Sequence, residues 1–232
     1  MELKNKTINF LGDSITEGVG VSDIKNSRYD NRLKEMLELK KVNNYGMGGT
    51  RIAHQSVPSE EPRYDLCFCG RAYDMDNDAD IIIVYGGVND YLHGDAYFGK
   101  LTDKTPATFC GAVDFLMRLL KSKYQGAKIV FMTPAHMNYN NLSDSRASEG
   151  AIKKSDAKPL YEYVSVIVAK GEEYGIPVLN LYDKLGIDPN DEKQKSEYTV
   201  DGLHFNDKGH GILASCLAEF LKSLQVNKIG FK

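Results

Sequence analysis

Five short runs of apolar residues recur along the chain, each closing in a turn-forming segment: TINFLG (7–12), KKVNNYG (40–46), ADIIIVYGG (79–87), AKIVFMTP (127–134) and IPVLNLY (176–182). Runs of this length, bounded by Gly, Pro, Asn or Asp, predict buried strands. IIIVY is continuously apolar and rich in β-branched residues, the pattern of a central parallel strand covered on both faces.

Between these runs the apolar spacing changes to that of helices. RYDNRLKEMLELK, over about 28–40, places Leu33, Met36, Leu37 and Leu39 near one face. The segment at about 105–124 carries Pro106, which reads as a first-turn proline. A third pattern, at about 158–175, ends at Gly175 as a C-terminal cap, and a fourth covers about 206–224. Alternation of strand and helix predicts a doubly wound α/β architecture with a parallel sheet between two layers of helices. No internal repeat, linker or low-complexity stretch interrupts it, so residues 1–232 read as a single domain. Two polar segments, at about 48–78 and 135–157, lack either periodicity and contain Arg51, Arg63, Arg71 and Arg146. Loops this long in a compact domain are commonly functional or mobile.

Composition narrows the class. Charged residues are 26% and hydrophobic residues 42% of the chain, the balance of an ordinary globular protein. A net charge of −3, with Lys and Arg scattered, argues against nucleic acid or an anionic membrane as partner. MELKNKTINF has no apolar core of a secretory signal, and no stretch approaches the roughly 18 apolar residues of a membrane span. Cys67, Cys69, Cys110 and Cys216 have poor zinc spacing and read as reduced, packed thiols. A cytoplasmic protein without metal or cofactor is expected.

In open α/β sheets, ligands bind beyond the carboxyl ends of the strands. The first strand is followed there by Gly12-Asp13-Ser14, the second by Gly46, Gly48 and Gly49, and the third by Asn89 and Asp90. His136 follows the fourth, and DGLH, with Asp201 and His204, precedes the last helix. Each alone is a turn or a helix cap. Together they supply what acyl transfer needs: a hydroxyl in Ser14, an imidazole in His204 to take its proton and an acid in Asp201 to orient that ring. The Ser14 N–H, a glycine N–H after the second strand and the Asn89 amide could serve as oxyanion donors.

GDSIT, GMGGT, GVND and DGLH also stand in the order and approximate spacing of the four sequence blocks of the SGNH hydrolases, the GDSL esterases and lipases, and from about residue 7 to 220 the chain resembles that family. The resemblance implies a flavodoxin-like three-layer α/β/α sandwich with a five-stranded parallel sheet, and hydrolysis of acyl esters. It implies Ser14 as nucleophile, His204 as base and Asp201 as acid, with Gly49, in preference to Gly48, and Asn89 completing the oxyanion site. Many members carry Pro directly after the base; here Phe205 stands in its place, either packed or shaping the pocket.

Arg51, His54, Tyr91 and His93 follow the blocks closely enough to line a pocket with Asp13 and Asp90. His136 and His210 read as polar groups away from the nucleophile. A metal phosphoesterase could use Asp13, Asp90, Asp201 and His204, but would leave the Ser, Gly and Asn positions without a purpose. GVGVSD fails the dinucleotide-binding pattern because position 23 is Asp. A glycan-binding module of the same fold would not need the intact set. The polar stretches RIAHQSVPSEEPRYD and HMNYNNLSDSRASEG have no apolar face for a long acyl tail. They favour a short, acetyl-type ester on a carbohydrate or similar small molecule over a lipid, with a lysophospholipase or thioesterase as the alternative.

Overall fold

A computed structural model describes residues 2–145 and 155–226. Its strands are β1 (Thr7–Gly12), β2 (Lys41–Gly46), β3 (Ile81–Tyr85), β4 (Lys128–Met132), the two-residue strands β5 (Asn138–Tyr139) and β6 (Leu142–Ser143), and β7 (Val178–Leu179). β2-β1-β3-β4-β7 form one five-stranded sheet whose neighbours are all parallel, and β5 and β6 form a separate antiparallel hairpin. The helices are α1 (Ser14–Glu17), α2 (Ile24–Ser27), α3 (Tyr29–Met36), α4 (Phe68–Arg71), α5 (Val88–Leu92), α6 (Phe109–Lys123), α7 (Leu160–Tyr174), α8 (Leu181–Lys184), α9 (Glu192–Tyr198) and α10 (Asp207–Val226).

Side chains alternate across the sheet, as the two-residue period of a strand requires. Ile8, Phe10, Ile81, Ile83 and Tyr85 face a core shared with α3 and α10. Leu11, Ile82 and Val84 face the opposite core, shared with α6 and α7. Both cores are apolar and fully covered, so the chain is a three-layer α/β/α sandwich. Asn9 is a buried polar exception on β1; its Nδ2 donates to the Asp76 carbonyl and its Oδ1 accepts from Asn43 Nδ2.

Several boundaries differ from the sequence expectation for local reasons. α3 stops at Met36 because Glu38 adopts a left-handed φ of 49°, although Leu37 and Leu39 remain buried. The fifth strand shrinks to Val178–Leu179, since Thr133 Oγ1 accepts the Leu181 N–H and starts α8. Pro106 lies outside α6, whose N-cap is Thr108, accepting from the Gly111 N–H. Gly175 ends α7 in the left-handed conformation. The 48–78 segment contains a 3-10 turn at Pro62–Asp65 and α4, and 135–157 begins with the β5–β6 hairpin. Arg146 lies outside the described residues. Among the described residues no helix is long and apolar enough to cross a membrane.

Candidate active site

The DGLH segment is organised by its own aspartate. Asp201 Oδ1 accepts the backbone N–H groups of Leu203 (2.9 Å) and His204 (2.8 Å), a turn closed by the side chain. That leaves Oδ2 to accept from His204 Nδ1 at 2.6 Å. Burial raises the Asp201 pKa, but the hydrogen bonds from the His204 ring and these N–H groups outweigh it and hold the carboxyl below its ordinary range. An ionised carboxylate only accepts, so Nδ1 carries the proton and the neutral ring presents Nε2 as an acceptor. The Ser14 hydroxyl lies 2.9 Å from that nitrogen. Gly202, between acid and base, has φ 88°, and a Cβ there would meet the Asn138 carbonyl oxygen at 2.2 Å. The Asn138 N–H donates to the Gly202 carbonyl at 2.8 Å, so the β5–β6 hairpin buttresses this turn.

Ser14 opens α1, whose N-cap is Asp13; Asp13 Oδ1 accepts the Ile15 N–H at 3.1 Å. Gly46 is required opposite this helix, because a Cβ would come within 2.2 Å of the Glu17 nitrogen. Ser14 and His204 open into a cleft of about 530 Å³ that Gly48, Gly49, Asn89 and His93 also line, with Glu17, Val19, Arg63, Tyr64, Leu92, Tyr139 and Leu203. The two glycines are not equivalent. Glu17 Oε2 accepts the Gly48 N–H at 2.7 Å, which leaves Gly49 as the glycine available to an oxyanion. Gly49 has φ 75°, and a Cβ would strike the Tyr64 ring at 2.6 Å. Asn89 Nδ2 donates one hydrogen to the Thr50 carbonyl at 3.0 Å, and the second remains for a ligand.

The remaining sequence candidates divide. His93 lies on the cleft wall. Arg51 lies behind it, buried, with Nη1 2.8 Å from His93 Nδ1 and Nη2 donating to the Tyr64 carbonyl. Asp90 is structural, its two oxygens accepting the N–H groups of Ile52 and Ala53. Tyr91 does not line the cleft; it is buried edge-on against Tyr163, and its hydroxyl donates to the Ser143 carbonyl. Phe205 is likewise a core residue, packed against His210, because the chain turns inward to start α10. His54 is exposed and does not line the cleft; its backbone N–H is tied to Pro106. Asp13 is buried beside Tyr85, His136 and Phe205 around a small separate space, and burial pushes its carboxyl up to about 6. His136 pairs with Asp144 in that direction, 2.5 Å apart.

Sequence reasoning did not single out Glu17, Tyr64 or Tyr139, and it named Arg63 and Arg71 only as members of the polar 48–78 segment. Glu17 Oε1 accepts from Arg63 Nη2 at 2.7 Å, so the carboxylate at the cleft mouth is neutralised. Arg71 donates to the carbonyls of Gly12 and Tyr45 and to Thr50 Oγ1, tying the ends of β1 and β2 to the GMGGT loop. Among the described residues no group of three or more His, Cys, Asp or Glu side chains is placed to hold a metal ion.

A three-layer sandwich whose strand ends bring together GDSIT, GMGGT, GVND and DGLH has relatives. The model of the GDSL-like lipase/acylhydrolase family matches residues 10–212, and the chain belongs to that family. Among solved structures, a protein from Lactobacillus plantarum is 30% identical, with a TM-score of 0.78 over 95% of this chain and 98% of that one. A possible lipase from Chitinophaga pinensis is 25% identical, with a TM-score of 0.64 over 95% of this chain and 99% of that one. A two-domain esterase active on acetylated mannans shares the fold at 19% identity and a TM-score of 0.60, covering 97% of this chain and 50% of its own. No curated protein sequence matches the chain.

Proposed function

We propose that the protein is a serine esterase that removes short acyl groups, acetyl foremost, from a carbohydrate or a similar polyhydroxy alcohol. The observation that carries this reading is the unbroken hydrogen-bonded series Asp201–His204–Ser14 at a cleft that also holds Gly49 and Asn89. Ser14 Oγ attacks the ester carbonyl while His204 Nε2 takes its proton, and Asp201 stabilises the resulting imidazolium. The negative charge that moves onto the carbonyl oxygen is met by the N–H groups of Ser14 and Gly49 and by Asn89 Nδ2. Collapse breaks the bond to the alcohol, which leaves with the proton from His204. A water then repeats the sequence on the acyl-Ser14 ester, releasing the acid and restoring the serine.

The cleft supports a short acyl group on a polar alcohol. Its aliphatic side chains are those of Val19, Leu92 and Leu203, while Glu17 and Arg63 offer charged groups and Tyr64 and Tyr139 offer ring faces and edges. The fold relationship to an esterase of acetylated mannans points the same way.

An acyl-chain series tests the reading. Chromogenic acetyl and butyryl esters should be cleaved far faster than esters of ten or more carbons, an acetylated oligosaccharide should release acetate, and Ser14→Ala should do neither. A preference for long chains, or cleavage of a lysophospholipid with no acetylated sugar touched, would establish the lipid-directed acylhydrolase instead.

A further inference from the structure

The Asn89 side chain has two unlike ends. Its Nδ2 can stabilise an oxyanion, whereas its Oδ1 would repel one, so the amide must be held one way round. Nδ2 donates to the Thr50 carbonyl at 3.0 Å, and Oδ1 lies 3.1 Å from His93 Nε2. The other nitrogen of that ring, Nδ1, lies 2.8 Å from Arg51 Nη1. A guanidinium only donates, so His93 Nδ1 accepts, the ring proton sits on Nε2, and that N–H donates to Asn89 Oδ1. Donation runs in one direction, from Arg51 through His93 to Asn89.

The start of the series is fixed independently. Arg51 is 3% exposed, and its Nη2 donates to the Tyr64 carbonyl at 2.6 Å. Gly94 lets its stem pass: a Cβ there would stand 3.2 Å from Arg51 Cδ and 2.8 Å from the Asp90 carbonyl oxygen. The carboxylate of Asp90, beside Asn89, holds the N–H groups of Ile52 and Ala53, next to Arg51.

We infer that Arg51 and His93 are positioning residues that lock the Asn89 amide with its N–H toward the reacting carbonyl and its oxygen away. The inference rests on the esterase reading for its consequence, though not for its geometry. A flipped amide would lose the donation from His93 and set its Nδ2 against a donor, while turning Oδ1 toward both the Thr50 carbonyl and the developing charge. His93 is exposed on the cleft wall, so water can replace its hydrogen bond without imposing that direction.

His93 variants test this on 4-nitrophenyl acetate. His93→Ala and His93→Phe should lower kcat by about 10- to 100-fold, less than complete loss of an oxyanion donor, with KM changed by no more than about twofold. His93→Gln should recover most of kcat, because its amide can accept from Arg51 and donate to Asn89. ¹⁵N NMR of the wild-type ring should show the proton on Nε2 and a bare Nδ1. Unchanged kcat in both His93→Ala and His93→Phe, equal loss in His93→Gln, or a ring protonated on Nδ1 alone would overturn the inference. If the wild type cleaves no ester, the esterase reading falls and the NMR result still decides the inference.

Discussion

Ser14 and His204 are 190 positions apart in the chain, yet the Oγ of one lies 2.9 Å from the Nε2 of the other. The approach is set by β1 delivering Ser14 and by the Asp201 turn delivering the imidazole, so the pair is held without any contribution from a ligand. Ser14→Ala should therefore abolish ester hydrolysis with little change in stability, about 1 kcal/mol, because the helix cap is Asp13 and only one hydrogen bond is lost. A fluorophosphonate should add a single adduct on the peptide holding Ser14, seen by mass spectrometry, and none on the variant. Near-normal turnover by Ser14→Ala would exclude it as nucleophile.

In the proposed mechanism Asn89→Ala removes one oxyanion donor while leaving Ser14, His204 and Asp201 in place. The expected result is a fall in kcat of roughly 10²- to 10³-fold with KM nearly constant, because the lost interaction forms only as charge develops. Steady-state kinetics on an acetyl ester separates this from a binding role, which would raise KM and spare kcat.

The strand-end groups on which these two predictions rest were legible in the sequence because each follows an apolar run directly. Ser14 is two residues past β1, and Asn89 is four past β3. The D-x-x-H spacing was legible too, since one side chain can close a turn on N–H groups two and three residues ahead. Tyr64 and Arg63 were not, because their place depends on the path of the 48–78 segment, fixed by Arg51 and Arg71 reaching carbonyls 13 and 26 positions away. Tyr139 depends on a two-residue hairpin whose residues carry no strand pattern. α9, EKQKSEY, escaped because none of its side chains is fully buried; its start is set by Asp191 accepting from Lys193 and Gln194. Tyr91 and Phe205 show the converse: adjacency to a motif does not say which way a ring turns, and both turn into the cores.

His210 should declare itself in stability. It is fully buried, stacked on Tyr29, with Nδ1 accepting the Tyr29 N–H, and burial lowers its pKa to about 4 from the ordinary 6.5. The unfolded chain therefore binds a proton between about pH 6.5 and 4 that the folded protein refuses. His210's contribution is complete above pH 6.5 and is lost as the pH falls toward 4. The loss is on the order of 3 kcal/mol, at about 1.4 kcal/mol per pKa unit. Asp13, raised to about 6 by burial, acts in the opposite sense, its neutral form favouring the fold at low pH. Denaturant unfolding of the wild type and His210→Gln from pH 4 to 7 should show a flatter acid limb in the variant. Identical slopes would mean that His210 is not held neutral.

The two tyrosines on the cleft wall distinguish a sugar from a simple leaving group. Tyr64 packs over Gly49 and is 40% exposed; Tyr139 stands edge-on to the His204 ring, their centroids 6.2 Å apart. In the proposed mechanism His204 returns a proton to the leaving alcohol, which would place Tyr139 beside the path of that alcohol. A pyranose offers an apolar ring face to an aromatic side chain, and losing such a contact costs about 1 kcal/mol, near fivefold to tenfold in binding. Tyr139→Ala should therefore raise KM for an acetylated oligosaccharide by about that factor and change KM for 4-nitrophenyl acetate little. Tyr64→Ala should affect both substrates, since its ring also covers the Gly49 turn. The contrast between the two substrates in Tyr139→Ala is the measurement that matters. An equal effect on both would assign Tyr139 to holding His204, and no effect on either would remove the aromatic wall from the carbohydrate reading.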